Sequence, residues 1–458
     1  MGRYRPDPAI LNLGDDFFDP VEPARFPQCV QRFTNNRWAE RVGLADVDWP
    51  SHFCRFEPLP ANLPKPLALR YHGHQFRVYN PDIGDGRGFL FAQMRDADGR
   101  LLDLGTKGSG QTPYSRHADG RLTLKGAVRE VLATEMLEAL GVNTSKTFTV
   151  FETGEQLERG DEPSPTRSAV LTRLSHGHIR IGSFQRLAFF GEAENIARLV
   201  RYCLEQLYRE PADEHDAANS LRLFDRVSAA TAELAASYLA AGFVHGVLNS
   251  DNINVTGESF DYGPWRFTPY WDPDFTAAYF DHYGLYAFGR QPEAIHWDLA
   301  QLAGALTLVA EAPPLSEALA EWSSRFEQAL VRQLLQRLGI VPSTPERDAE
   351  LASLIVRALQ SRTVTVDRFF FDWRGGRDPA TDPYQGDVFR ALAAALQGRN
   401  MPALHPYWSD EEPCSMHIDE VETIWSAIAE RDDWRPFEDK VNAIRRMGEA
   451  MRVDARAG

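Results

Sequence analysis

Residues 245–252 read HGVLNSDN, and DYG follows at 261–263. Asn252 and Asp261 offer an amide oxygen and a carboxylate. These are hard oxygen donors of the kind Mg²⁺ accepts while it keeps several waters and phosphate oxygens. Asp251, next to the Asn, is a further carboxylate that could deprotonate an attacking hydroxyl. Such a set suits transfer of a phosphate-bearing group onto a hydroxyl.

A protein kinase catalytic loop reads H-R-D-L-x-x-x-N and is followed by a metal-binding D-F-G. On that template His245 takes the place of the first His and Asn252 that of the metal-binding Asn. The place of the catalytic Asp, however, holds Val247. The loop has lost the kinase base and kept a carboxylate at Asp251, so it reads as repurposed.

Other residues fit a nucleotide. The turn IGDGRG carries Gly84, Gly86 and Arg87. Its glycines let backbone amides approach phosphate oxygens, and the guanidinium adds a charged donor. Lys107 closes the third strand-like run, where a kinase keeps the Lys that pairs with phosphates and with a Glu of the next helix. That helix offers Glu130, Glu135 and Glu138. Glu130 lies about 200° around from Val128 at 3.6 residues per turn, which suits a face turned toward a cleft. Asp119 and Gly120 precede the helix, where an ordinary turn is an equal reading.

Arg173 is the informative departure. SAVLTRL alternates, which puts Ala169, Leu171 and Arg173 on one face, the face that would line a kinase adenine pocket. A guanidinium there needs an anion. Arg173 together with Arg180 of HIRIG makes sense if phosphates occupy that end, so that the nucleotide lies reversed and its α-phosphate is placed to react. Surface arginines paired with the abundant acids are the plain alternative. The HxH pairs in YHGHQ and SHGH lack a third ligand and are read as structural hydrogen-bonding groups.

The elements that must position these residues follow from pattern. Residues 1–75 are Pro-rich and aromatic and read as an extension packed on a core. Residues 76–185 form a β-rich unit: three strand-like runs lie within 76–108, and two more are KTFTVFE and SAVLTRL. Between them runs one helix, with Val128, Leu132, Met136 and Leu140 on a common face, ending near Gly141. Residues 186–370 are helical apart from 245–263, where INV, TGES and FDYG read as a hairpin, and 371–458 form a helical extension. Loops at 158–167 and 372–385 are expected to be the mobile surface segments. The fold class is therefore α+β, a kinase-like bilobal arrangement with extensions at both ends.

Of 458 residues, 43% are hydrophobic and 25% charged, the composition of a globular chain. The net charge of −16 argues against nucleic acid and anionic membrane as main partners. Cys29, Cys54, Cys203 and Cys414 are scattered without a CxxC, which suits a reducing compartment and gives no zinc signature. No signal peptide or membrane span is evident, and a cytoplasmic location is expected.

Taken in order, YHGHQF, GDGRG, GTKGSGQTPYSR, SPTRSAVLTRL, HIRIGSFQ, GFVHGVLNSDN, DYGP and YAFGRQP resemble the blocks of the selenoprotein O family, pseudokinase-fold protein adenylyltransferases. The resemblance implies transfer of AMP from ATP to Ser, Thr or Tyr hydroxyls of proteins, with release of pyrophosphate and with Mg²⁺ or Mn²⁺ as the metal. It implies nucleotide contacts from Gly84, Gly86, Arg87, Lys107, Asp119, Gly120, Arg173, Arg180 and Asp261. It also implies Glu130 as partner of Lys107, Asp251 as proton acceptor, and Asn252 and Asp261 as metal ligands. The tail departs from the family: it has no Cys-rich end, and its last cysteine is Cys414. A non-catalytic ATP-binding scaffold and a kinase-like phosphotransferase remain alternatives.

Overall fold

The computed structural model describes residues 2–160, 162–379, 382–399 and 403–457. Ten strands precede the main run of helices: β1 (Phe18–Pro20), β2 (Val30–Thr34), β3 (Leu67–Leu69), β4 (Gly73–Gln75), β5 (Val78–Asn80), β6 (Leu90–Arg95), β7 (Leu101–Lys107), β8 (Leu122–Thr123), β9 (Lys146–Leu157) and β10 (Thr166–Ser175). Eight of them make one antiparallel sheet in the order β1-β3-β6-β7-β10-β9-β2, with β8 paired to the end of β10.

The first 75 residues therefore supply three strands of the sheet, at both of its edges. They also cover one face. Helices α1 (Asn36–Val42) and α2 (Trp49–Phe53), with Phe56 and Leu59, pack on Phe91, Leu102, Leu104, Phe148, Phe151 and Val170. Cys29 and Cys54 are joined there by a disulfide, against the expectation of reduced cysteines drawn from their scattered spacing. Against the other face lies α3 (Leu124–Ala139), started by the Thr123 side chain, which accepts from the Gly126 N–H. With both faces covered, β7 is buried along its whole length, and β10 at all but one position.

The remainder is helical: α4 (Ile181–Phe189), α5 (Ala193–Tyr202), α6 (Asp216–Ala241), α7 (Gln291–Leu306), α8 (Ala312–Ala320), α9 (Trp322–Leu338), α10 (Pro345–Gln360), α11 (Val366–Asp372), α12 (Asp387–Leu396), α13 (Ile418–Arg431) and α14 (Arg435–Ala457). The mixed α+β class is as expected. One continuous core links the inner sheet face and α3 to α4–α7 and α14. Among the described residues no helix is long and apolar enough to cross a membrane.

Two local expectations fail. The run FRVYN does not join the sheet; β4 and β5 form a separate two-stranded hairpin. The INV run is not half of a hairpin either. The Ile181 N–H donates to the Ile253 carbonyl and the Val255 N–H to the Ile179 carbonyl, so this stretch pairs with the entry to α4. The hairpin-like pairing lies outside it, where β11 (Phe243–Val244) meets β12 (Arg266–Phe267) and closes the base of the loop. Alternation marks an extended segment but not its partner. The loops expected at 158–167 and 372–385 include residues 161, 380 and 381, which lie outside the described residues.

Candidate active site

The end of β7, the Gly-rich turn before β6 and the loop after β11 converge on a cavity of about 300 Å³. Lys107, Arg173, Arg180, Asp251 and Asp261 line it, together with residues 83–88 of the turn. Sequence positions as far apart as Gly84 and Asp261 thus meet in one place.

At its floor Lys107 Nζ lies 2.6 Å from Glu130 Oε2 and 2.8 Å from Asp261 Oδ1. Glu130 comes from α3 and is wholly buried, and of the three acids on that helix it is the one paired with Lys107. Glu135 and Glu138 turn instead to Arg37. Arg173 Nη1 stands 3.6 Å from both Glu130 Oε1 and Asp261 Oδ1 and makes no hydrogen bond. Burial alone would raise the Asp261 pKa, but Lys107, Arg173 and Arg87 hold it well below the usual carboxylate range.

Arg180 ties the turn to the loop. Its Nη2 donates to Asp85 Oδ1 at 3.2 Å and its Nη1 to the Asp251 carbonyl at 3.1 Å. The guanidinium is stacked over Tyr71 at 4.2 Å and Phe260 at 4.9 Å. Asp85 in turn accepts from the Leu69 N–H, which anchors the Gly-rich turn to β3.

The glycines of that turn answer to close packing. A β-carbon on Gly84 would stand 2.5 Å from the Tyr114 ring, and one on Gly86 3.0 Å from the Tyr114 carbonyl oxygen. The segment Thr112–Ser115 lies across the turn, with Thr112 Oγ1 donating to the Asp85 carbonyl and Ser115 Oγ to the Gly86 carbonyl.

Asp251 is buried, and its Oδ1 has no hydrogen-bond partner. Burial pushes its pKa up to about 6, with Arg180 pulling the other way. The loop itself is held by His245, whose Nε2 meets the Phe260 carbonyl at 2.9 Å while the Val247 N–H reaches its Nδ1. Val247 occupies the kinase base position with no proton-accepting group. Asn252 donates its Nδ2 to the Val247 carbonyl at 3.1 Å, which leaves its amide oxygen for a ligand. Asn252 and Asp261 are each an oxygen donor of the kind a hard divalent cation accepts, and of the two Asp261 lines the cavity. Among the described residues no three His, Cys, Asp or Glu side chains cluster as a metal site.

Two expected nucleotide residues, Asp119 and Gly120, are not among those lining this cavity, although Ala118 beside them is. Asp119 ion-pairs with Arg159 at 2.9 Å and lines a second cavity with Glu22, Arg121 and Glu155. Gly120 has φ +70° and backs onto the Gly110 carbonyl. The HxH histidines each have hydrogen-bond partners: His72 bonds the Tyr79 hydroxyl, His74 Gln185, His176 the Leu207 carbonyl, and His178 both Asp103 and Arg173. Tyr71, Asp85 and Ser115 were not anticipated. Tyr71 sits one residue before the HGH triplet and Ser115 inside GTKGSGQTPYSR, so both lay within stretches already singled out.

A family model described as protein adenylyltransferase SelO matches residues 3–410. A protein nucleotidyltransferase YdiU of Synechocystis is 40% identical over 96% of this chain and 97% of its own length. A protein of the same name from Gloeobacter violaceus is 41% identical over 96% of this chain and 95% of its own. One from Vibrio vulnificus is 38% identical over 70% of this chain and 64% of its own. The first two alignments reach into 371–458, so the tail, expected to depart from the family, has counterparts in these relatives.

Proposed function

The chain belongs to the protein adenylyltransferase SelO family, and from that premise we propose that it transfers AMP from ATP to Ser, Thr or Tyr hydroxyls of proteins through the cavity lined by Asp251. The observation that carries the reading is the unpartnered, buried Oδ1 of Asp251 in the same cavity as Lys107, Arg173 and Arg180. In this reading the sheet-bearing part and the helices after it are the two lobes of a kinase-like fold, and the nucleotide between them is reversed.

Lys107, Arg173, Arg180 and the amides of the 84–88 turn hold the triphosphate. The acceptor hydroxyl oxygen forms a bond to the α-phosphorus, and the bond from that phosphorus to the β-phosphate bridging oxygen breaks. Pyrophosphate leaves, and the hydroxyl proton passes to Asp251 Oδ1. Val247 cannot take that proton. A Mg²⁺ ion held by Asn252 and Asp261 would neutralise charge on the phosphate oxygens. Glu130 keeps Lys107 directed at the cavity, because its buried carboxylate has Lys107 at 2.6 Å.

The test is incubation with ATP labelled at the α-phosphate and, separately, at the γ-phosphate, with a lysate as acceptor and Asp251→Asn and Asp261→Ala as controls. Label on protein from the α position alone, absent in both variants, is the expected result. Label from the γ position alone would make the protein a phosphotransferase. A thermal shift with ATP and no label at all would make it a scaffold.

A further inference from the structure

We propose that His178 is a positioning residue for the Arg173 guanidinium, with its tautomer fixed by Asp103; the proposal rests on the reading of the cavity as a triphosphate site. Arg173 Nε can only donate, and it reaches His178 Nε2 at 3.3 Å. That nitrogen must therefore accept. The ring proton then sits on Nδ1 and is donated to Asp103 Oδ2 at 3.1 Å.

The bonds converge on Asp103, which accepts from both sides. Asp103 Oδ1 accepts from Gln93 Nε2 at 2.7 Å, and the same Nε2 also reaches the Tyr202 hydroxyl at 3.2 Å. Gln93 Oε1 accepts from the Ile10 N–H at 2.7 Å, which fixes the amide the right way round. Gln93, Asp103, Arg173, His178 and Tyr202 are all buried. A buried network whose donors and acceptors are fixed from Arg173 through Asp103 to Gln93 holds one arrangement. Space for the imidazole is left by Gly105, where a β-carbon would stand 2.4 Å from His178 Nε2. Burial also lowers the His178 pKa against the pull of Asp103, which keeps Nε2 free as an acceptor.

The consequence falls on Arg173. Its Nε is committed to His178, while Nη1 has no hydrogen-bond partner within the protein and the side chain lines the cavity. The imidazole thus presents the outer edge of the guanidinium to an anion. Nothing in this role touches nucleotide, so His178 acts through Arg173 alone.

Wild type, Arg173→Met, Asp103→Asn, His178→Gln and His178→Asn are compared by calorimetry with ATP and Mg²⁺, by kcat and KM for α-label transfer, and by Tm. Gln carries an amide oxygen to the position of Nε2 and can still accept from Arg173. Asn keeps a donor for Asp103 but leaves Arg173 Nε without an acceptor. Asp103→Asn supplies one acceptor where His178 and Gln93 need two, which drives the ring proton toward Nε2. The expected result is that His178→Asn and Asp103→Asn weaken ATP binding by about tenfold, as for loss of one charge-assisted bond. His178→Gln stays within about threefold of wild type, whatever the order of Tm values. Equal weakening in the Gln and Asn variants, in step with Tm, would reduce His178 to a space-filler and overturn the proposal. Wild-type affinity in all His178 and Asp103 variants while Arg173→Met binds weakly would also overturn it, and would leave the triphosphate reading intact. Wild-type affinity in Arg173→Met would remove both.

Discussion

A β-carbon on Gly73 would stand 2.8 Å from Oδ1 of Asp251. The hairpin that carries Gly73 lies directly on the 245–252 loop. The His74 N–H donates to Ser250 Oγ at 2.7 Å, and the Phe76 N–H to Asn249 Oδ1 at 3.0 Å. From the other side Gly182 approaches, where a β-carbon would be 3.5 Å from the Asp251 Cα. Gly73→Ala is therefore expected to push the carboxylate out of line. A shift of about 1 Å in a reacting group costs on the order of 100-fold in rate, so kcat should fall by roughly 10- to 100-fold with ATP affinity unchanged. Steady-state kinetics beside calorimetry checks this; wild-type kcat would show that the hairpin does not position Asp251.

The Lys107–Glu130 pair should break unequally from its two ends. Lys107→Met leaves the buried Glu130 carboxylate with only Arg173 near it, at 3.6 Å, and an uncompensated buried charge costs about 3–5 kcal/mol. Glu130→Gln leaves Lys107 with Asp261 still 2.8 Å away, so the stability loss is smaller. Denaturant unfolding of both variants should place Lys107→Met as the less stable. Both should lose most label transfer, since one removes the cation and the other its anchor.

The legible part of this site is the part carried by short spacings. Asp251, Asn252 and Asp261 lie within one loop, and Lys107 and Glu130 follow from strand order and helical geometry. What could not be read is pairing over long separations. Asp103 and His178 are 75 residues apart, and neither residue type nor pattern links them before the sheet forms. FRVYN has the alternation of any strand, and alternation does not say that its partner is Gly73–Gln75 rather than the sheet. The strands of the first 75 residues are short and split by prolines, so their periodicity is too brief to register.

Asp19 links the Gly-rich side of the cavity to pH-dependent stability. Its carboxylate accepts from Arg70 at 2.5 and 2.9 Å and also from the Tyr114 hydroxyl, whose ring lies against Gly84. These bonds, Arg70 first, lower the Asp19 pKa below its ordinary value. A carboxyl whose folded pKa is depressed adds stability above its unfolded pKa and loses it as pH falls through the folded value. Asp19→Asn should thus lower Tm at pH 7, and its difference from wild type should shrink below about pH 4. A gap in Tm that stays constant from pH 7 to pH 3 would mean the carboxylate charge contributes nothing.

The tail is tied to α3, the helix that carries Glu130. Helix α14 packs along α3, close enough that a β-carbon on Gly448 would stand 3.1 Å from the Ala139 β-carbon. Arg445 on α14 forks onto Glu135 of α3, Nε to Oε2 and Nη2 to Oε1, each at 2.8 Å. Glu135 is buried and is shared with Arg37 at 3.1 Å and Asn35 at 3.3 Å, so α3 is clamped between the first and last segments of the chain. Glu130 sits on the same helix a little over one turn earlier. Arg445→Met removes the bidentate partner but leaves Arg37, so the cost should be about 1–3 kcal/mol rather than the full cost of an orphaned carboxylate. If α14 braces the helix that presents Glu130, the same variant lowers kcat as well, and hydrogen exchange in α3 quickens. Loss of stability with kcat and α3 exchange unchanged would confine the tail to holding the fold together.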